Sequence, residues 1–200
     1  MTITRQDLEW AMGGGHVYLH PDELDPLCRY AQNASLLVEI GTAYGGGACL
    51  LLMSAGPKSK VHSIDPFVPD SHGGWQSSAK QAKQHVATAA ERLGFDVTRW
   101  ILHEQYSYEA ALDAPARIDF LFLDGDHLYS AVRRDFEDWL PKVKAGGVVL
   151  IHDSRRVPGT PDTEFNQGWP GPTQLVSELR SDDRVELLEE VYSLTIWRKK

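Results

Sequence analysis

Two short runs set carboxylates beside imidazoles: Asp124, Asp126 and His127 in FLFLDGDH, and His152, Asp153 and Ser154 in LIHDS. An imidazole titrates near neutral pH and can take a proton from a reacting hydroxyl. Two carboxylates with an imidazole or hydroxyl nearby suit Mg²⁺ or another divalent ion. A third run, VEIGTAYGGGACLLL at 38–52, places Glu39 ahead of Gly41 and then Gly45, Gly46 and Gly47. Glycines let a backbone turn sharply and approach a ligand closely, and a helix starting there offers unpaired amides. The spacing is G-x-x-x-G-G-G rather than the G-x-G-x-x-G of a dinucleotide site. A fourth candidate is Asp65 in HSIDPF. It either accepts both hydroxyl protons of a ribose or caps the turn before Pro66. The glycine turn one strand earlier favours the ribose.

The elements that must position these residues follow from the hydrophobic rhythm. LLVEI (36–40), VHSID (61–65), WILHE (100–104), FLFLD (120–124) and VVLIHD (148–153) are short apolar runs. Helical stretches separate them, around 46–55, 76–94, 106–113 and 128–142. Strands buried on both faces and alternating with helices make a parallel, doubly wound sheet. Gly146 and Gly147 are expected to form the turn that enters the fifth strand. After a helix near 173–181, VELLEE (185–190) and VYSLTIW (191–197) follow with almost nothing between them, so they must pair antiparallel. The expected fold is thus α/β: a doubly wound, Rossmann-like sheet of seven strands, mostly parallel, closed by an antiparallel C-terminal hairpin. Residues 1–35 read as an N-terminal helical cap, with helical spacing at Leu24, Leu27, Cys28 and Ala31 and a hinge at Gly13-Gly14-Gly15. Residues 36–200 read as the main domain.

Composition narrows the function classes. A formal charge of -8 without a basic stripe argues against gripping a nucleic-acid backbone. The two cysteines, Cys28 and Cys49, sit in apolar contexts and read as buried free thiols. No apolar run approaches the ~20 residues of a membrane helix. The first residues, MTITRQDLEW, lack a signal-peptide core, so a cytoplasmic location is expected.

Taken together, VEIGTAYGGGA, Asp65, LFLDGDHLYSAVRRDFEDWLPKVKAGGVVLIHDS and WPGPTQLVSEL resemble the class I S-adenosylmethionine-dependent methyltransferases. The likeness is to the small-molecule O-methyltransferases of the macrocin and catechol type, over about Leu36 to Trp197. The resemblance implies that S-adenosylmethionine is the methyl donor and that the acceptor is a hydroxyl on a sugar, phenol or natural-product intermediate. Glu39, Gly41, Thr42 and Gly45 to Gly47 would line the methionine half of the donor. Asp65 would hold its ribose, Ser107 would meet the adenine region, and Asp124 would also belong to the donor-binding set. Asp124 and Asp153 match metal-ligand positions of the divalent-dependent members. His152 or Ser154 stands where those members carry a third ligand. His127 is the expected base, with His152 the second candidate. The 154–172 segment, with Phe165 and Trp169, reads as a lid, and the 66–75 loop, with His72 and Trp75, as a wall. Two other classes remain: a non-catalytic S-adenosylmethionine-binding module and a nicotinamide-dependent oxidoreductase. The expected partner is a small molecule, not nucleic acid or a membrane, and homo-oligomers are left open.

Overall fold

A computed structural model describes residues 4–13, 19–69, 77–157, 159 and 168–200. Seven strands form one sheet: β1 (Leu36–Ile40), β2 (Lys60–Ile64), β3 (Trp100–His103), β4 (Ile118–Leu123), β5 (Val143–Ile151), β6 (Val185–Val191) and β7 (Leu194–Lys199). Their order is β3-β2-β1-β4-β5-β7-β6. The first five run parallel, while β7 pairs antiparallel with both β5 and β6. The hairpin closes at Val191 and Leu194 across Tyr192 and Ser193. The sheet and its antiparallel end are as the alternation of runs requires.

Helices cover both faces. On one side lie α1 (Arg5–Gly13), α2 (Pro21–Ala31), α3 (Gly46–Ser54) and α4 (Ala79–Leu93); on the other lie α5 (Ser107–Asp113), α6 (Tyr129–Trp139) and α7 (Pro170–Leu179). Alternate residues of one strand serve the two cores. Leu37, Phe120, Phe122 and Leu150 pack with α1 to α4, and Val38, Leu121, Leu123 and Val149 pack with α5 to α7. The α3 sequence GGACLLLMS is apolar all round, and such a helix needs cover on its outer side as well. That cover comes from α1, α2 and α4, with Leu24, Leu27 and Ala31 of α2 fully buried in the same cluster as Leu50 to Leu52. No helix is long and apolar enough to cross a membrane among the described residues.

The N-terminal segment adds a helix not singled out in the sequence, and one local expectation is corrected. The added helix, α1, lies ahead of α2; it draws on good helix formers, Arg5, Gln6, Leu8 and Ala11 among them, and packs on α3. Gly146 and Gly147 are not a turn before the fifth strand but an irregularity inside it. Ile118 faces Val143 while Phe120 faces Val148, so β5 carries extra residues there, with Gly146 at φ +78°. Gly14 and Gly15 of the expected hinge lie outside the described residues, and Gly13 ends α1.

Candidate active site

The carboxyl ends of β1 and β4, adjacent in the sheet but leading to opposite faces, make the switch point at which doubly wound folds bind ligands. On the β1 side the chain passes through Gly41 at φ +91°. A Cβ there would collide with the Asp124 backbone, so only glycine lets the two strand exits lie this close. Gly47 has a second reason: its Cβ would enter the Glu39 carboxylate, which lies under the first turn of α3. Ser63 Oγ donates to Glu39 Oε2 at 2.6 Å, and Trp100 Nε1 donates to Ser63 Oγ at 2.9 Å. Burial pushes the Glu39 carboxyl up to about 8, against the Ser63 hydrogen bond and with help from the Asp124 and Asp65 charges. Glu39 is therefore largely protonated at neutral pH.

Asp65 performs the turn-capping role and more. Its Oδ1 accepts the Phe67 amide at 2.7 Å, and its Oδ2 accepts the amides of Thr42 (3.0 Å) and Ala43 (2.8 Å). The carboxylate thus clamps the glycine loop from the next strand, using three of its roughly four acceptor sites. Thr42 is buried, and its Oγ1 has no hydrogen-bond partner among the described residues. An orphaned buried hydroxyl beside a left-handed glycine loop and a helix N-terminus fits a polar ligand such as the amino-acid end of S-adenosylmethionine. Ser107 starts α5, where its Oγ accepts the Trp139 indole N–H at 2.8 Å and bonds to Asp135. Burial, partly relieved by that bond, raises Asp135 to about 6.

On the β4 and β5 side, carboxylates converge on one imidazole. His152 is 3% exposed; its Nδ1 is 2.9 Å from Asp124 Oδ1 and 3.4 Å from Asp153 Oδ2. Its Nε2 is 3.2 Å from Oε2 of Glu23, a residue of α2. Burial alone would depress this imidazole, but the Asp124 and Asp153 charges and hydrogen bonds outweigh it and hold His152 well above its ordinary range. For Asp153 burial is likewise overcome, by the charges and hydrogen bonds of His152 and His127, so that it stays ionised far into acid. With carboxylates at both nitrogens and almost no exposure, His152 is badly placed to receive a proton from an incoming hydroxyl.

Asp124, His152 and Asp153 offer ligand atoms within 4.8 Å of one another, two carboxylate oxygens and one imidazole nitrogen. This donor set fits a hard-to-borderline divalent ion. Ser154 does not join it. Its hydroxyl is buried against Ile151 O (2.8 Å), Ser193 O (3.3 Å) and Thr195 Oγ1 (2.8 Å), tying β5 to β7. Asp153 lies in a turn beyond the end of β5, in the left-handed region at φ +50°, and the chain leaves that turn with Ser154 directed toward β7.

His127 lies at the rim. Its Nε2 is 3.3 Å from Asp153 Oδ2, and its ring stacks on Trp169 with centroids 4.7 Å apart and planes at 7°. Asp126 Oδ1 accepts the Leu128 amide at 2.8 Å and shapes the turn into α6. Trp169 is brought over His127 because its amide donates to Asp153 O at 2.8 Å and because Gly171 packs without a Cβ against the 127–129 backbone. The proposed lid and wall residues Phe165, His72 and Trp75 lie outside the described residues. Glu23 escaped sequence reasoning. It stands three residues after His20 at a helix start, where a glutamate reads as an ordinary capping box, and it does accept the His20 amide at 2.8 Å.

A protein-family profile described as "Methyltransferase domain" matches residues 38–154, more than half of the chain. An uncharacterised protein of Sinorhizobium fredii is 28% identical over 123 residues, 59% of this chain but 13% of that protein's length. An uncharacterised protein of Acanthamoeba polyphaga mimivirus is 26% identical over 183 residues, 85% of this chain and 72% of its own. Among solved structures, the O-methyltransferase TomG from Streptomyces achromogenes, involved in tomaymycin synthesis and determined in complex with S-adenosylmethionine, is similar with a TM-score of 0.68. It is 16% identical, and the match covers 100% of this chain and 92% of TomG.

Proposed function

The chain belongs to the methyltransferase-domain family, and from that premise we propose that it transfers a methyl group from S-adenosylmethionine to a hydroxyl of a small molecule, a sugar, phenol or natural-product intermediate. The observation that carries this reading is the position of His127: 3.3 Å from Asp153, stacked on Trp169, at the rim of the crevice that the glycine loop and Asp124 define. S-adenosylmethionine supplies a methyl group on a sulfonium, an electrophile that a deprotonated oxygen attacks. Glu39, Gly41, Thr42 and Gly45 to Gly47 would hold its methionine half, Asp65 its ribose and Ser107 the adenine side. A protonated Glu39 keeps an acceptor and a donor available there without placing a full charge under the helix.

The remaining residues act on the acceptor. Asp153 orients the His127 imidazole in the manner of a carboxylate behind a general base. His127 then takes the hydroxyl proton as the oxygen–methyl bond forms. Trp169 shields one face of that imidazole and limits water. Asp124, Asp153 and His152 would hold a divalent ion such as Mg²⁺, which supplies Lewis acidity that lowers the pKa of a hydroxyl. Holding the acceptor oxygen in line with the methyl removes several kcal/mol of barrier by positioning alone. Residues 1–35 act as a helical cap on the domain of 36–200, and the enzyme works in the cytoplasm without nucleic acid or membrane.

The test has two arms. Titration calorimetry should show binding of S-adenosylmethionine and S-adenosylhomocysteine but not NAD. Incubation with S-adenosylmethionine and a metabolite extract should then give a product heavier by one methyl group. Tight NAD binding with no response to either sulfur ligand overturns the reading. Donor binding with no methylated product from any extract turns it into a non-catalytic binding module.

A further inference from the structure

We propose that Glu23, on the N-terminal helix α2, is a positioning residue of the metal site: it holds the proton of His152 on Nε2 and so makes Nδ1 the ligand atom. This rests on reading Asp124, His152 and Asp153 as the holders of a divalent ion.

The argument starts from how Glu23 is buried. As a capping-box glutamate its task would be finished by one hydrogen bond to the His20 amide, made from an exposed position. Instead Glu23 is fully buried and takes four donors. His20 N (2.8 Å) and His152 Nε2 (3.2 Å) approach Oε2, while Ser193 N (2.8 Å) and Ser193 Oγ (2.7 Å) approach Oε1. Four donors fill the acceptor capacity of a carboxylate. Burying such a charge is costly unless it is paired and hydrogen-bonded, and here the partners come from α2, the β6–β7 turn and the exit of β5. Held at both oxygens, the carboxylate cannot rotate away from His152.

The consequence lies in the ring. A neutral imidazole has one N–H and one lone pair, and the group facing one nitrogen decides which is which. The ionised Glu23 carboxylate keeps the proton on Nε2, so when a metal displaces one proton from the ring it is the one on Nδ1. That nitrogen is the one 2.9 Å from Asp124 Oδ1 and 3.4 Å from Asp153 Oδ2. A carboxylate behind a ligating histidine fixes the ring and raises its basicity, an effect worth ~10–100-fold in metal affinity. The helical cap thereby contributes to the site across 129 residues of chain.

Mn²⁺ affinity of the full chain, measured by the electron paramagnetic resonance of free Mn²⁺, tests this. Glu23→Gln should weaken Mn²⁺ binding ~10–100-fold while S-adenosylhomocysteine still binds. In a His152→Asn background the same substitution should change nothing, because Glu23 acts through the ring. A Glu23→Gln protein with wild-type affinity, where Asp153→Asn has lost it, overturns the role of Glu23 alone. So does an equal loss with and without His152. No Mn²⁺ binding by wild type, or binding indifferent to Asp153→Asn, overturns the metal reading beneath it. If Glu23→Gln does not fold, ¹⁵N spectra of the wild type decide. Adding Mg²⁺ should shift His152 Nδ1 and leave Nε2 protonated, and a shift at Nε2 or at neither nitrogen overturns the proposal.

Discussion

The two halves of the crevice are built differently. The donor-side half is nearly contiguous: Glu39, the glycine loop and the start of α3 span nine residues from Glu39 to Gly47, with Asp65 clamping them from the neighbouring strand. The acceptor-side half gathers Glu23 from α2, Asp124 and His127 from the exit of β4, His152 and Asp153 from the exit of β5, and Trp169 from before α7. Its chemistry also differs. The first half relies on backbone conformation and on a carboxyl that burial keeps neutral; the second relies on ionised carboxylates around imidazoles. A loop held by local geometry is robust to surface change, whereas a cluster of buried charges depends on every member being present.

That contrast predicts where substitutions and conditions will bite. The largest effect is expected from metal removal. If Asp124, His152 and Asp153 hold an ion, EDTA should reduce turnover to background, and Mg²⁺ or Mn²⁺ should restore it. Full activity in chelator would make the cluster purely structural. Because the Nδ1 proton must leave before a metal binds, and His152 is held well above its ordinary pKa, Mn²⁺ affinity should climb as pH rises through that elevated range.

Next is His127→Ala, which should lower kcat by ~10²–10⁴-fold, with donor affinity measured by calorimetry nearly unchanged. Wild-type levels of kcat and the same pH profile in the variant would remove His127 as the base. At the exit of β2, Asp65→Ala deletes acceptors for three amides and, with them, the group proposed to hold the ribose. With charge-assisted hydrogen bonds worth ~1.5–3 kcal/mol, S-adenosylhomocysteine should bind roughly 10- to 100-fold more weakly. Unchanged affinity would leave Asp65 as a loop clamp only.

The smallest effect concerns Glu39. Its folded-state pKa, about 8, is raised above the ordinary 4.5. The unfolded chain therefore loses this proton first, and the stability from neutral Glu39, full below about pH 4.5, is lost as pH rises toward 8. Glu39→Gln stays neutral, so melting curves should move in its favour between pH 5 and pH 9, by roughly 2–4 °C for each kcal/mol recovered. A pH-independent gap between variant and wild type would show that Glu39 does not titrate in this range.

How much was legible follows the same division. The sheet could be read because short apolar runs alternate with helical ones, and because parallel strands need crossovers that the final hairpin has no room for. The meeting of Asp124 with Asp153 could be read too, since β4 and β5 are consecutive and adjacent. The double role of Asp65 was half visible, the turn cap and the ribose site appearing as alternatives where the carboxylate clamps the loop as well. Gly146 and Gly147 misled because paired glycines permit a turn and a bulge alike, and only the register with β4 separates them. Helix α1 does not stand out within the expected helical cap, although RQDLEWAMG is rich in helix formers, because a nine-residue helix is marginal without packing such as α3 supplies.

By itself the sequence determined the strand and helix pattern, the glycine-lined exit of β1, and the identity of the acids and imidazoles that end β4 and β5. These are local properties, set by backbone preference and by periodicity over a few residues. The tertiary structure alone decided that Glu23 reaches His152, that Ser154 turns toward β7, and that Nδ1 of His152 faces Asp124 and Asp153. Partners for a buried charge are chosen by what packing brings within hydrogen-bond reach after water has been excluded, and no short window of sequence encodes that.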